Sequence, residues 1–223
     1  MLSWERLDDV SVDIYMFVHP SLAKTSPSNL VMSHFLNMRK PPHEFQRITE
    51  WEIGRARNRA VEFFLKKDTK HTHLLMLDSD IVLFEDTLER LLLARKPVIS
   101  AAYWEKKVGG ELCAWKHSGR PDERAESIEK YATEGIVETE LLGMGCCLIE
   151  RWVLEELWNR LNGDLFRFTL SDTTLGDYWR VSEDFYFALQ VYHQLGFRPL
   201  VDLDNKVGHE VQGYIIEKNK VVV

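Results

Sequence analysis

The chain offers three short stretches whose residue types could do chemistry together. The first is Leu74-Leu75-Met76-Leu77-Asp78-Ser79-Asp80, an apolar run ending in two carboxylates one residue apart. Charge at the end of a buried strand is costly unless a cation compensates it. A divalent ion bridging diphosphate oxygens would do so, and hard oxygen ligands suit Mg²⁺ or Mn²⁺. The second is Ser182-Glu183-Asp184, which opens a helical pattern where a carboxylate gains from the dipole and the free N–H groups. The third is Val207-Gly208-His209, where an imidazole after a late strand could ligate a metal through one ring nitrogen.

An αβ alternation must position these groups. Val12 to Val18 reads as a first strand. Ser21 to Thr49 is rich in Ser-Pro and Pro-Pro steps and predicts a loop with a short helix. Trp51 to Lys67 is a helix by the spacing of Ile53, Ala56, Ala60, Phe63 and Phe64, with Arg55, Arg57 and Arg59 filling much of the rest. Thr72 to Leu77 is short, apolar and bounded by polar groups, as in a buried parallel strand. Asp86 is a suitable N-cap for a helix to Ala94, and Pro97 to Tyr103 is the next strand. Leu112 to Trp115 is a short strand, and His117 to Ile128 an exposed loop. Ile136 to Leu142 and Cys146 to Ile149 are apolar runs around Gly143-Met144-Gly145, followed by a helix from Arg151 to Leu161. Gly163 to Val181 is long and turn-rich, as lids and binding loops are. Ser182 can cap a helix to Leu195, Gly196 stops it, Phe197 to Val201 returns as a strand, and Lys206 to His209 closes the pattern. The expected fold class is α/β, with a mostly parallel central sheet flanked by helices.

The bulk composition narrows the function classes. With 223 residues the chain fits one α/β domain, since single cores stop growing near ~250–300 residues. A formal net charge of -7 argues against broad nucleic-acid binding, which requires a basic face. No run approaches a membrane span, and Met1 to Asp9 lacks the apolar segment of a signal peptide. The three cysteines, Cys113, Cys146 and Cys147, have no metal-ligand pairing. A reduced cytoplasmic setting is the simplest expectation, with Cys146 and Cys147 as small buried residues. His71 and His73 read as structural. Trp104, Trp115 and Trp179 fall in or near the proposed site loops, where an aromatic face could stack on a sugar or base; Trp51, Trp152 and Trp158 read as ordinary helix packing.

Gly54-Arg55-Ala56-Arg57-Asn58-Arg59-Ala60, then Asp78-Ser79-Asp80, Gly143-Met144-Gly145-Cys146, Ser182-Glu183-Asp184 and Val207-Gly208-His209, in this order and spacing, resemble GT-A glycosyltransferases of the family 2-like group. The resemblance spans Trp51 to His209. It implies a single GT-A domain, with a Rossmann-like nucleotide-sugar half over about 1–103, an acceptor half over about 104–217 and a flexible tail at 218–223. By the resemblance, Asp78-Ser79-Asp80 is the DxD motif: Asp80 and His209 hold Mn²⁺ or Mg²⁺, and Asp78 contacts the metal, the ribose or the donor sugar, so that both aspartates also belong to the donor site. Asp184 is the catalytic base of an inverting transfer, with Glu183 as second choice. Arg57, Asn58, Ser79, Gly143, Gly145 and Trp179 line the donor, a UDP- or GDP-sugar. The acceptor hydroxyl, on a glycan, small molecule, lipid or protein, is set by His117 to Glu134 and Gly163 to Val181, where the chain departs from the family pattern. A retaining transferase, a sugar nucleotidyltransferase and a non-catalytic nucleotide-sugar-binding module are the alternatives. A nucleotidyltransferase would carry a Gly-rich basic loop where Val18-His19-Pro20-Ser21-Leu22 stands. An aspartyl phosphatase would carry a Thr soon after the second Asp, where Ile81-Val82-Leu83 stands. The apolar Val221 to Val223 end could dock on a partner, as in a homodimer.

Overall fold

The computed structural model describes residues 7, 9–67, 71–107, 109–116, 125–171, 179–211, 214–217 and 220–222. In chain order its elements are β1 (Val12–Val18), α1 (Asn29–Asn37), β2 (His43–Thr49), α2 (Ile53–Lys66), β3 (His73–Asp78), β4 (Ile81–Val82), α3 (Thr87–Leu93) and β5 (Val98–Ala102). Short strands follow, β6 (Ala114–Lys116), β7 (Glu126–Ser127), β8 (Ile136–Glu138) and β9 (Leu141–Leu142), and then β10 (Cys146–Glu150), α4 (Arg151–Arg160), β11 (Thr169–Ser171), β12 (Trp179–Val181) and α5 (Glu183–Leu195). The last strands are β13 (Leu200–Lys206), β14 (Gly208–Val211), β15 (Tyr214–Glu217) and β16 (Lys220–Val222).

Seven strands form the central sheet, in the order β2-β1-β3-β10-β5-β13-β8. Five of them, β1, β2, β3, β5 and β13, run the same way, while β10 and the edge strand β8 are reversed. The expected α/β class with a mostly parallel sheet is therefore the one observed, consistent with a GT-A-like fold. The reversal of β10 departs from a purely parallel, doubly wound sheet.

Both faces of this sheet are covered, so its central strands are apolar throughout rather than alternating. Tyr15 and Phe17, Leu74 and Met76, Val98 and Ala102, and Cys147 and Ile149 face one core with α2, α4 and α5. Ile14 and Met16, Leu75 and Leu77, Ile99 and Ala101, and Cys146 and Leu148 face the other with α1 and α3. This period-two division determines which helix each site residue meets.

Several sequence expectations change here. The stretch Ser21 to Thr49 holds not only a helix but a full strand, β2, parallel to β1. It is an edge strand with a largely exposed, polar sequence, so it lacks the apolar run that marks a buried one. Ile136 to Leu142 splits at Thr139, whose hydroxyl lies within bonding distance of the carbonyls of Trp115 and Leu141 and shares its one hydrogen between them; β8 joins the main sheet and β9 a small sheet with β6 and β7. The expected tail at 218–223 contains β16, paired with β15. Asp86 and Ser182 are the N-cap residues of α3 and α5, without side-chain capping bonds. Trp51 is 70% exposed and meets His19 edge-to-face at 4.9 Å, so it is not the packing residue expected; Trp152 packs its ring on Phe197 at 5.8 Å but stays partly exposed. Residues 117–124 of the anticipated loop lie outside the described residues.

Gly143 and Gly145 have a packing reason. A Cβ on Gly143 would lie 2.2 Å from the Tyr103 hydroxyl, and one on Gly145 2.8 Å from Tyr103 Cζ. The Tyr103 ring fills the space that these two residues leave, and its hydroxyl accepts from the Gly145 N–H at 2.8 Å. Gly143→Ala should therefore destabilise by about 1–3 kcal/mol through overpacking, measured by denaturant unfolding. Tyr103→Phe in the same chain should recover part of that loss, because it removes the closest atom. Burial also pushes the Cys146 thiol up to about 12 and Cys147 higher still, so both should resist alkylation near pH 8 until the protein unfolds.

Candidate functional site

Asp78 continues the row Leu74, Met76 on the sheet face that α2 covers. There it meets Arg57, which the sequence pattern grouped with exposed basic residues. In the fold Arg57 shares the buried stripe of Ala56, Ala60, Val61 and Phe64. Its Nη2 donates to Asp78 Oδ1 at 3.0 Å and its Nη1 to Glu183 Oε1 at 2.5 Å. The guanidinium lies 5.7 Å from the Phe17 ring centroid, and its buried Nε finds no partner. Gly54, one turn earlier, permits this geometry: a Cβ there would stand 2.9 Å from the Phe166 carbonyl and 3.3 Å from Glu183 Cβ. The start of α5 thus comes close enough for Glu183 to reach Arg57.

Burial works against the Arg57 charge, yet Asp78, Glu183 and Asp184 together hold its proton far more tightly than usual. Burial raises Glu183 and Asp184 above the ordinary carboxylate range, and Arg57 pulls both back only in part. Asp184 Oδ1 accepts from the Ser182 hydroxyl and from the Phe185 N–H at 2.8 Å, which fixes its orientation at the helix start.

Asp80 belongs to a second group. Strand β14 pairs antiparallel with β4, aligning His209 with Ile81, and the Glu210 N–H donates to the Asp80 carbonyl at 2.8 Å. His209 Nε2 consequently stands 3.5 Å from Asp80 Oδ1. His209 Nδ1 lies 2.7 Å from the Trp104 carbonyl; a carbonyl only accepts, so this nitrogen carries the hydrogen and Nε2 is the atom turned to the carboxylate. Lys106 hydrogen-bonds the other oxygen, Oδ2. Burial raises the proton affinity of Asp80, but His209 and Lys106 outweigh it and hold its carboxyl below the usual value. Tyr103 packs edge-to-face on His209 at 5.6 Å, linking the two groups.

For a divalent ion, Asp80 and His209 supply a carboxylate and an imidazole already oriented through its second nitrogen, as metal-binding histidines are. Asp78 does not complete a compact three-ligand set with them, since Arg57 engages it. Two protein ligands fit an ion whose remaining positions go to water and phosphate oxygens. A different group, Asp13, Glu44 and His71, does bring its ligand atoms close together and is a candidate for a metal. It lies at the opposite, amino end of β1, where Asp13 aligns with Glu44. Its centre already holds a cation: Lys67 Nζ donates to Asp13 and Glu44 at 2.7 Å each, and His71 pairs with the other Asp13 oxygen.

The remaining expected residues are placed as follows. The Ser79 hydroxyl accepts from Ser26 at 2.8 Å. Asn58 is fully engaged: Oδ1 accepts from the N–H groups of Leu165 and Phe166, and Nδ2 donates to Asp164 and to the Phe166 carbonyl. It clamps α2 to the chain entering the long loop. Gly143 and Gly145 lie beside Tyr103. Trp179 is in β12, and its side chain lies outside the described residues. Trp104 is buried with Nε1 on Glu129, and Trp115 packs on Phe185. Sequence reasoning missed Lys106, Tyr103, His19 and the exposure of Trp51. All four follow the carboxyl ends of strands β1, β2 or β5, where ligands of open α/β sheets bind, and that rule could have found them.

No protein-family model matches the sequence, and no curated protein matches it. Among solved structures, A197 from STIV superposes with a TM-score of 0.60 at 15% identity, over 96% of this chain and 94% of that one. At this identity the likeness shows the fold alone. S. aureus TarS 1-349 gives a TM-score of 0.48 at 10% identity, over 87% of this chain and 58% of that one, too weak to carry an argument. No helix among the described residues is long and apolar enough to cross a membrane.

Arg57→Met should leave buried Glu183 and half-buried Asp78 without their cation and cost about 3–5 kcal/mol. For a chain of this size that is a Tm drop of roughly 6–20 °C. Calorimetry on Arg57→Met, and on the same variant with Asp78→Asn and Glu183→Gln, should show the added changes restoring part of the loss.

Proposed function

We propose that the chain is a metal-dependent glycosyltransferase that moves a sugar from a UDP- or GDP-sugar to an acceptor hydroxyl, with inversion at the anomeric carbon. The observation that carries this reading is the β4–β14 pairing. It sets His209 beside Asp80 at the same strand ends where Asp78 and the start of α5 meet Arg57. One end of the sheet thus gathers a carboxylate–imidazole pair, a buried guanidinium and two carboxylates of raised proton affinity, which supports this reading.

In this reading Asp80 and His209 would hold Mn²⁺ or Mg²⁺, and the ion would supply Lewis-acid stabilisation of a diphosphate leaving group. Arg57 fixes Asp78 and Glu183 and so shapes the floor of the donor site. Asp184 accepts the proton of the acceptor hydroxyl. It is the better base of the pair, because Glu183 is committed to Arg57, whereas Asp184 is oriented by Ser182 and Phe185. Its raised proton affinity moves it toward the range in which a general base works near neutral pH. Exposed Trp51, with His19 at its edge, is a stacking face for the nucleobase at the rim.

Calorimetric titration of UDP and GDP with Mn²⁺, and again with EDTA, should show metal-dependent binding of one nucleotide that Asp80→Ala abolishes and Trp51→Ala weakens. Asp184→Asn should keep that affinity while turnover of the matching nucleotide-sugar falls by roughly 10²–10⁴-fold. Absence of nucleotide binding by folded wild-type protein would overturn the assignment.

A further inference from the structure

Lys106 is a cation in the site that the motif pattern does not account for. It belongs to a tight turn between Trp104 and Leu112, which are themselves bridged. The turn is closed by Glu105 N–H to the Glu111 carbonyl at 3.0 Å and Gly110 N–H to the Lys107 carbonyl at 2.9 Å. The turn's other charges look elsewhere: Lys107 meets Glu105 at 2.8 Å, and Glu111 accepts from the Trp115 indole, outside the turn, at 3.2 Å. Lys106 alone crosses to Asp80, bonding Oδ2. Its side chain is 47% exposed, against 29% for Asp80. A pair this open is weak and exchangeable, unlike the Lys67 ammonium, whose side chain is only 17% exposed and which bridges two carboxylates.

A divalent ion on Asp80 and an ammonium on the same carboxylate repel each other, so the two compete. An ammonium displaced from Asp80 stays tethered by its turn beside the position where a diphosphate would bring two or more negative charges. We propose that Lys106 is the resident counter-ion of Asp80, which yields to the divalent ion and turns to the donor's diphosphate. Metal and nucleotide then bind with positive coupling through this one side chain. The inference rests on the donor-site reading above and adds the order and linkage of binding to it. Coupling of this kind is reciprocal: the factor by which nucleotide tightens metal is the factor by which metal tightens nucleotide.

The test is Mn²⁺ affinity, read from the free-ion electron paramagnetic resonance signal with and without saturating UDP or GDP, for wild type, Lys106→Gln and Lys106→Arg. In wild type, Mn²⁺ alone should bind weakly and tighten on adding nucleotide by a factor in the range of roughly 5–150. Lys106→Gln should bind Mn²⁺ alone several-fold more tightly and lose most of that coupling, while Lys106→Arg should keep it. Equal Mn²⁺ affinity and equal coupling in wild type and Lys106→Gln would overturn this inference alone. Uptake of neither Mn²⁺ nor nucleotide by either protein, with native circular dichroism, would overturn the donor-site reading and this inference with it.

Discussion

One buried guanidinium organises the site. Arg57 takes a position in the apolar stripe of α2 that a leucine could fill, and it is tolerated because Asp78 and Glu183 meet it from two other elements. A lone charge there would be prohibitively costly; three charges in bonding contact are stable but demand geometry. The helix must approach the carboxyl end of β3, and the start of α5 must approach the helix, before either acid is compensated. The Asn58 clamp enforces the same approach from the next residue, tying α2 to the Asp164–Phe166 segment with its whole amide. Adjacent residues of one helix thus fix a strand end, a helix start and the mouth of a loop.

The strands of the sheet interior were legible because burial on both faces imposes continuous apolar runs, and β1, β3 and β5 fall where those runs are. Strand β2 was not, since an edge position lets polar residues such as Glu44 and Gln46 persist. The reversal of β10 was also invisible, because an apolar run has no direction. In the site, Asp78, Asp80, Glu183 and Asp184 could be marked by type and position. Their division into two groups, one around Arg57 and one around His209 and Lys106, could not, since it depends on the β4–β14 pairing and on which face each side chain takes. Gly143 and Gly145 show the same limit. Their spacing was plain, but their reason is the Tyr103 ring, forty residues away in the sequence.

The two ends of β1 and its neighbours carry related arrangements with opposite character. At the amino end a lysine, a histidine and two acids close into a network around Asp13, and Lys67 holds its proton more tightly than usual, although burial opposes it. At the carboxyl end a lysine, a histidine and an acid meet around Asp80, but the lysine reaches in from an exposed turn. The first is a fastener joining β1, β2, the end of α2 and the start of β3. The second is open to exchange. Solvent access, rather than residue type, separates the two.

The antiparallel pairing of β4 with β14 has a temporal consequence. Asp80 leaves the ribosome long before His209, so the newly made chain carries an acid at its sheet edge whose imidazole partner does not yet exist. Contacts between segments so far apart close late, after local ones. Lys106 and its turn, only a few dozen residues behind Asp80, are synthesised well before then. Lys106 is thus available to that acid while the rest of the sheet is still being assembled, and the Asp80–His209 pair forms only when β14 docks.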